Sequence, residues 1–185
     1  MALTPSNMMP LGTIAPDFTL PDAVSGKDLN LQDLKSDKGT VIMFVCNHCP
    51  FVKHLNAGIS QMAKDYQQKG LEFIAICSND VENYPEDSAD KLKQQAIDND
   101  FAFPYLIDES QDVAKSYQAA CTPDFYIFDG DLKCVYRGQF DSSRPGNNVP
   151  VTGEDMRNAM DAMLKGDAIS PNQKPSQGCN IKWKI

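Results

Sequence analysis

The segment FVCNHCPFVKH, Phe44 to His54, gathers Cys46, His48, Cys49 and His54 around Pro50. Residues of these types at this spacing fit three chemistries: a dithiol that exchanges electrons, a metal site, or one reactive thiol among bystanders. Proline is favoured at the first position of a helix, so Cys49-Pro50 predicts a helix beginning at Pro50 with Cys49 as its cap. The free N–H groups and the dipole at a helix start favour an anion, and the amides of Phe51 or Val52 can serve a thiolate there. Such surroundings lower a cysteine pKa from about 8.5 into the range of about 3.5–7.5. A protonated His48 or His54 acts in the same direction. Cys49 is therefore the candidate nucleophile.

Cys46 is the candidate second thiol. The ends of a four-residue turn lie within about 7 Å, which overlaps the separation that a disulfide spans, so a Cys46–Cys49 bridge is allowed. The competing reading is a buried strand-end thiol that never pairs. A metal would draw on Cys46, Cys49, a histidine and Cys121. Structural zinc normally uses two compact ligand pairs, and the second pair is missing, so no metal and no cofactor are expected. His48 and His54 serve equally well as hydrogen-bonded structural residues.

These residues need a strand and a helix to hold them. TVIMFV (40–45) reads as a strand buried on both faces. After the cysteines, Val52, Leu55, Ile59, Met62, Ala63 and Tyr66 recur at helical spacing up to Gly70. LEFIAIC (71–77) is a second strand and SNDVENYPEDS a polar loop at the site rim. A helix follows near 88–99, then strand FPYLID (103–108), helix SQDVAKSYQAA and strand DFYIFD (124–129). The DGD turn leads into LKCVYRG as a hairpin. The last helix has Thr152 as its expected cap and Gly166 at its end. Before the first strand, residues 12–39 read as a small hairpin and a short helix. The order β-α-β-α-β-α-β-β-α demands parallel pairing in its βαβ units. The expected layout is an N-terminal tail (1–11), one α/β domain (12–166) and a C-terminal tail (167–185).

A chain of 185 residues can bury one core. Its formal charge of -8 argues against nucleic acid or an anionic membrane as partner. MALTPSNMMPLG shows no basic-then-apolar signal pattern, VIMFVC is too short to span a bilayer, and a cytoplasmic location is expected. The six cysteines are then read as reduced thiols, with Cys77 and Cys134 packing as small hydrophobes.

The motifs CNHCPFVKH, GTIAPDFTLPD, SND…YPED, CTPDF, YRGQFD and PSQGCNIKW together resemble the thioredoxin-fold superfamily. The resemblance is to its peroxiredoxin-like branch, related to alkyl hydroperoxide reductase and thiol-specific antioxidant proteins, and covers most of the chain. It implies a thioredoxin-like α/β fold: a mixed central sheet flanked by helices, with an N-terminal hairpin extension and a C-terminal tail. It places Pro123 at the cis-proline position of that fold and sets the Thr122 backbone against substrate, whereas Pro123 read alone starts an edge strand. Cys121 and Cys179 become possible resolving thiols; Cys179 would act from a mobile arm, or merely help Ile181 and Trp183 dock the tail. Ungapped alignment puts Cys49 at the first cysteine of the thioredoxin dithiol and Val52 at the second. The peroxiredoxin pattern P-x-x-x-T-x-x-C falls on Val45, Cys49 and Val52, with no match, and the buried acid of thioredoxin falls near Met43.

The resemblance implies a thiol–disulfide oxidoreductase with Cys49 as nucleophile, acting on a protein disulfide or a small thiol or peroxide. A thiol peroxidase and a non-catalytic redox sensor or binding module are the alternatives, and the oligomeric state is left open. Arg137, Asp141 and Arg144 read as surface loop ions, or as a cradle for a thiolate or anionic substrate.

Overall fold

The computed structural model describes residues 3–185; residues 1 and 2 of the expected N-terminal tail lie outside the described residues. The elements run β1 (Leu3–Pro5), β2 (Thr19–Pro21), β3 (Asp28–Asn30), α1 (Leu31–Leu34), β4 (Thr40–Phe44), α2 (Pro50–Gln67), β5 (Glu72–Cys77), α3 (Ala89–Asp98), β6 (Tyr105–Ile107), α4 (Asp112–Ser116), β7 (Cys121–Thr122), β8 (Asp124–Phe128), β9 (Cys134–Gly138), α5 (Glu154–Lys165) and β10 (Gln177–Asn180). The central sheet has the order β6-β5-β4-β8-β9. β4 pairs parallel with β5 and antiparallel with β8.

Alternation along β4 separates two cores, as the pleat of a strand requires. Val41 and Met43 join the apolar faces of α2, α3 and α5 on one side. Ile42 and Phe44 join Leu31, Ala114 and Tyr117 on the other. Each β4 residue is buried, which is why its sequence shows no polar alternation. On the second face Phe44 meets Tyr117 and Tyr126 at ring separations of 5.6 and 5.9 Å, the spacing at which aromatic pairs add stability beyond burial. β2 and β3 form the expected hairpin, with α1 directly after it.

The segments assigned to the two tails are joined to each other. β10 lies between β1 and β7 in a three-stranded antiparallel sheet, with Leu3 opposite Cys179 and Cys179 opposite Thr122. The Thr122–Pro123 peptide bond is cis. Among the described residues no helix is long and apolar enough to cross a membrane.

The start of α5 corrects the expected cap. Gly153, with φ of 69°, is the N-cap rather than Thr152. The carboxylate of Asp141 takes the N–H groups of both Thr152 and Gly153, at 2.7 and 2.6 Å, and that of Ser143 at 2.8 Å. A β-branched residue is strained at positive φ, so glycine turns the chain; the Thr152 hydroxyl still accepts the N–H of Glu154 at 3.3 Å, and the distant carboxylate fixes the turn before it. Asp141 is accordingly buried and not a surface ion.

Asp124, just after the cis bond, is fully buried; its Oδ2 accepts from Tyr126 Oη at 3.2 Å. Desolvation pushes its pKa up to about 7. An acid whose pKa is higher folded than unfolded favours folding below its unfolded value, near 4, and that contribution is lost as pH rises through about 7. Asp124→Asn should therefore raise the melting temperature at pH 8 and flatten the fall in stability between pH 5 and 8. Thermal melts across that range check this.

Candidate active site

The site forms where three backbone segments meet. β4 ends at Phe44 and α2 begins at Pro50, so Cys46 and Cys49 bracket the turn between a buried strand and a helix start. Cys49 is the N-cap of α2. From the opposite side the β7 backbone approaches, and Thr122 O accepts a hydrogen bond from Cys49 Sγ at 3.2 Å. β10 closes the third side. Its pairing with β7 sets the sulfur of Cys179 2.8 Å from that of Cys49, in hydrogen-bond contact. Cys46 Sγ lies 3.4 Å from the Thr122 hydroxyl.

This contact explains the residue before Cys179. A Cβ built on Gly178 would stand 1.9 Å from Thr122 O, so only glycine lets the two backbones approach this closely. The arm beyond is held by further bonds. Ile181 N donates to Ala120 O at 3.1 Å, Asp80 N to Lys182 O at 2.9 Å, and Gln111 Nε2 to Lys182 O at 2.8 Å. Ser176 Oγ donates to Pro123 O at 2.6 Å. Cys49 is 0 % exposed and Cys179 2 % exposed. In this conformation the sulfur pair is closed off from solvent, so a reagent or substrate reaches Cys49 only when the arm opens.

Electrostatics sets the three thiols apart. Cys49 is held down to about 5, first by a hydrogen bond from the Cys46 thiol, against the opposing effect of burial, and further by Cys179 and the amide of Val52. The neutral thiol makes no side-chain cap bond to the helix; the Val52 N–H donates to Cys49 O at 3.1 Å and adds its dipole to the favour shown a charged sulfur. Burial, the hydrogen bond to Cys49 and the negative charge of Asp87 push Cys46 well up. Burial and the same Cys49 contact push Cys179 up to about 12. One sulfur thus takes the charge and its two neighbours keep their protons to stabilise it.

The remaining candidates sort by position. Thr122 meets Cys49 through its carbonyl oxygen, and Pro123 follows it across the cis bond. Cys121 points elsewhere, its sulfur donating to Pro123 O at 3.5 Å. Cys77 and Cys134 are buried in strands β5 and β9. His54 bonds Ser143 Oγ at 2.7 Å, and His48 Nδ1 donates to Asp87 Oδ2 at 2.5 Å. Both rings are turned to these partners rather than to the Cys49 sulfur. Arg137 and Arg144 spend their side chains on Met9 O, Gln173, Gln139 and nearby carbonyls, not on a sulfur. Cys46, His48 and Asp87 bring ligand atoms within 4.8 Å of one another, the one such metal-ligating group among the described residues. The Asp87 oxygens, however, already accept from Asn47 N, His48 N, His48 Nδ1 and Asn79 Nδ2, which fits a hydrogen-bonded anchor better than a metal ligand.

A sequence model of the AhpC/TSA family matches residues 11–137. No curated protein sequence matches the chain. A solved structure from Geobacillus kaustophilus, described as an uncharacterized conserved protein, is 58% identical, covers 100% of this chain and 97% of its own, and superposes with a TM-score of 0.98. A hypothetical protein from Sinorhizobium meliloti 1021 is 46% identical over 98% of this chain and 99% of its own, with a TM-score of 0.95. The thioredoxin domain of a thiol-disulfide oxidoreductase from Bacteroides vulgatus shares the fold at 17% identity, covering 81% of this chain and 97% of its own, with a TM-score of 0.62. The fold is thioredoxin-like, a mixed sheet between helices.

Alkylation by iodoacetamide, followed cysteine by cysteine with peptide mass spectrometry, should give Cys49 a rate midpoint near pH 5. Replacing its largest stabilising donor, in Cys46→Ala, should raise that midpoint by about one to two units, the worth of a hydrogen bond to a charged group.

Proposed function

Because the chain belongs to the AhpC/TSA family and carries a thioredoxin-like redox site, we propose that it is a thiol–disulfide oxidoreductase with Cys49 as its nucleophile. The observation that carries the reading is the Cys49 sulfur, capping a helix start and 2.8 Å from the Cys179 sulfur, in surroundings that lower its pKa.

The Cys49 thiolate attacks one sulfur of a substrate disulfide, and the other substrate sulfur leaves as a thiolate. The new bond is a mixed disulfide at Cys49. A second protein thiol then gives up its proton, attacks Cys49, and expels the remaining substrate sulfur. Cys179 is proposed for this step in preference to Cys46, because Cys179 faces Cys49 across the strand pair while Cys46 acts as a hydrogen-bond donor. The protein ends as a Cys49–Cys179 disulfide, and an external dithiol returns it to the starting state. Access requires the arm to lift, since Cys49 is sealed beneath it. A cytoplasmic setting, where small dithiols are reduced, suits that cycle.

Family membership favours a second reading, reduction of a hydroperoxide. The Cys49 thiolate would attack one oxygen of the O–O bond and become a sulfenic acid, while the other oxygen leaves, takes up a proton and departs as an alcohol or water. The sulfenic acid then condenses with the Cys179 thiol to a disulfide and releases water. Both readings end in the same disulfide.

Insulin-disulfide reduction with dithiothreitol as donor tests the first reading. The wild-type protein should turn over, Cys49→Ser should fall to background, and Cys179→Ser should accumulate a mixed disulfide and lose turnover severalfold. Peroxide consumption in place of insulin reduction would move the reading to the peroxidase; partner binding retained by Cys49→Ser with neither activity would leave a binding module. Lifting the arm gives an independent check. In Gly178→Val the added side chain collides with Thr122 O, so a bulky maleimide should label Cys49 faster than in the wild type while oxidation yields less Cys49–Cys179 disulfide.

A further inference from the structure

Asp87 is a fully buried acid beside Cys46 whose part the exchange chemistry leaves unassigned. It stands in the 3-10 turn Pro85–Asp87, in the loop after β5 that was read only as a site rim. Its Oδ1 accepts the backbone N–H of Asn47 at 2.8 Å and of His48 at 3.0 Å. Its Oδ2 accepts His48 Nδ1 at 2.5 Å and Asn79 Nδ2 at 2.8 Å. Three of the four donors thus belong to the two residues between Cys46 and Cys49. The fourth leads outward, because Asn79 Oδ1 accepts Lys182 N of the arm at 2.8 Å. Stacking runs the same way: the His48 ring lies on the Tyr84 ring at 5.4 Å, and Lys182 Nζ sits 5.6 Å from the centre of the Tyr84 ring.

A carboxylate held away from water needs all these donors to remain charged, and it keeps its pKa below the ordinary carboxylate value with them. The donors need it equally, since two consecutive buried N–H groups in a tight turn find no partner in sheet or helix. Given that Cys49 is the reactive thiol, on which this step rests, we infer that Asp87 is the positioning residue of the site: it fixes the turn that aims Cys46 at Cys49 and, through Asn79, ties that turn to the arm carrying Cys179. One buried side chain then governs the geometry of all three sulfurs without touching any reacting atom.

The test uses the full-length protein and two readouts: the pH midpoint of Cys49 alkylation by iodoacetamide, and amide hydrogen exchange over residues 177–182. In Asp87→Asn the midpoint should rise by about one unit, as the Cys46 donor loses its aim, and the arm should exchange faster. In Asn79→Ser, where the three turn bonds stay, the arm should exchange faster while the midpoint moves less. In His48→Phe, which keeps the ring on Tyr84, the midpoint should rise without the arm loosening as far. An Asp87→Asn protein that folds with a lower melting temperature but keeps the wild-type midpoint and arm protection makes Asp87 a structural residue only and overturns the proposal. Should Asp87→Asn not fold, an unchanged arm in Asn79→Ser or an unchanged midpoint in His48→Phe overturns it. A wild-type Cys49 midpoint no lower than that of an ordinary cysteine, about 8.5, instead removes the parent reading, and this inference falls with it.

Discussion

Thr122 has two partners in the space of one peptide unit: Cys179 lies opposite it across the β7–β10 pair, and Cys49 donates to its carbonyl oxygen. A thiolate at that point has no water to solvate it, so its hydrogen bonds have to come from the protein. The demand shapes the neighbourhood. It explains why Cys46 is buried with its proton retained, why a strand and not a loose loop covers the sulfur, and why the helix that begins at Cys49 starts with a residue that leaves its terminus open. A surface-exposed cysteine at the same helix start would need none of this.

Much of the frame was legible from local pattern. The continuous apolar run at 40–45, the three- and four-residue spacing after Pro50, and the glycine that ends α5 are signals carried within a few residues, and each element formed where its pattern placed it. Cys49 at a strand-to-helix junction was legible for the same reason. Long-range partners were less so. Asp141 holds the turn that opens α5 from eleven and twelve residues upstream, and nothing in the local sequence distinguishes it from a surface ion. Asp87 acts on residues 39 and 40 positions before it in the chain. Its segment has the composition of any polar loop, and only the fold reveals that its carboxylate points inward.

The C-terminal segment is the clearest case of information split between sequence and structure. Gly178, Cys179 and Ile181 all stand out as residue types, yet mobile arm and docked tail were equally compatible with them. Pairing with β7 and β1 decides for docking in this conformation: Ile181 enters the core beside Tyr117 and Tyr126, and the cysteine is carried inward with it. Residues 138–185 lie beyond the part of the chain that the family model matches, and the Geobacillus and Sinorhizobium proteins extend over them.

The missing side chain at Gly178 also makes the arm a detent. Side chains alternate along a strand, so sliding β10 by one residue would turn Cys179 to the far face. It would also bring a residue with a Cβ onto the Thr122 carbonyl, where there is room for none. A slide of two residues would carry the sulfur about 7 Å along the strand, out of reach of its partner. The seated register is thus the one that suits both the glycine and the sulfur. Thiol chemistry that is graded by nature, with rates that drift with pH and potential, is thereby tied to a strand whose register is set by one absent carbon atom.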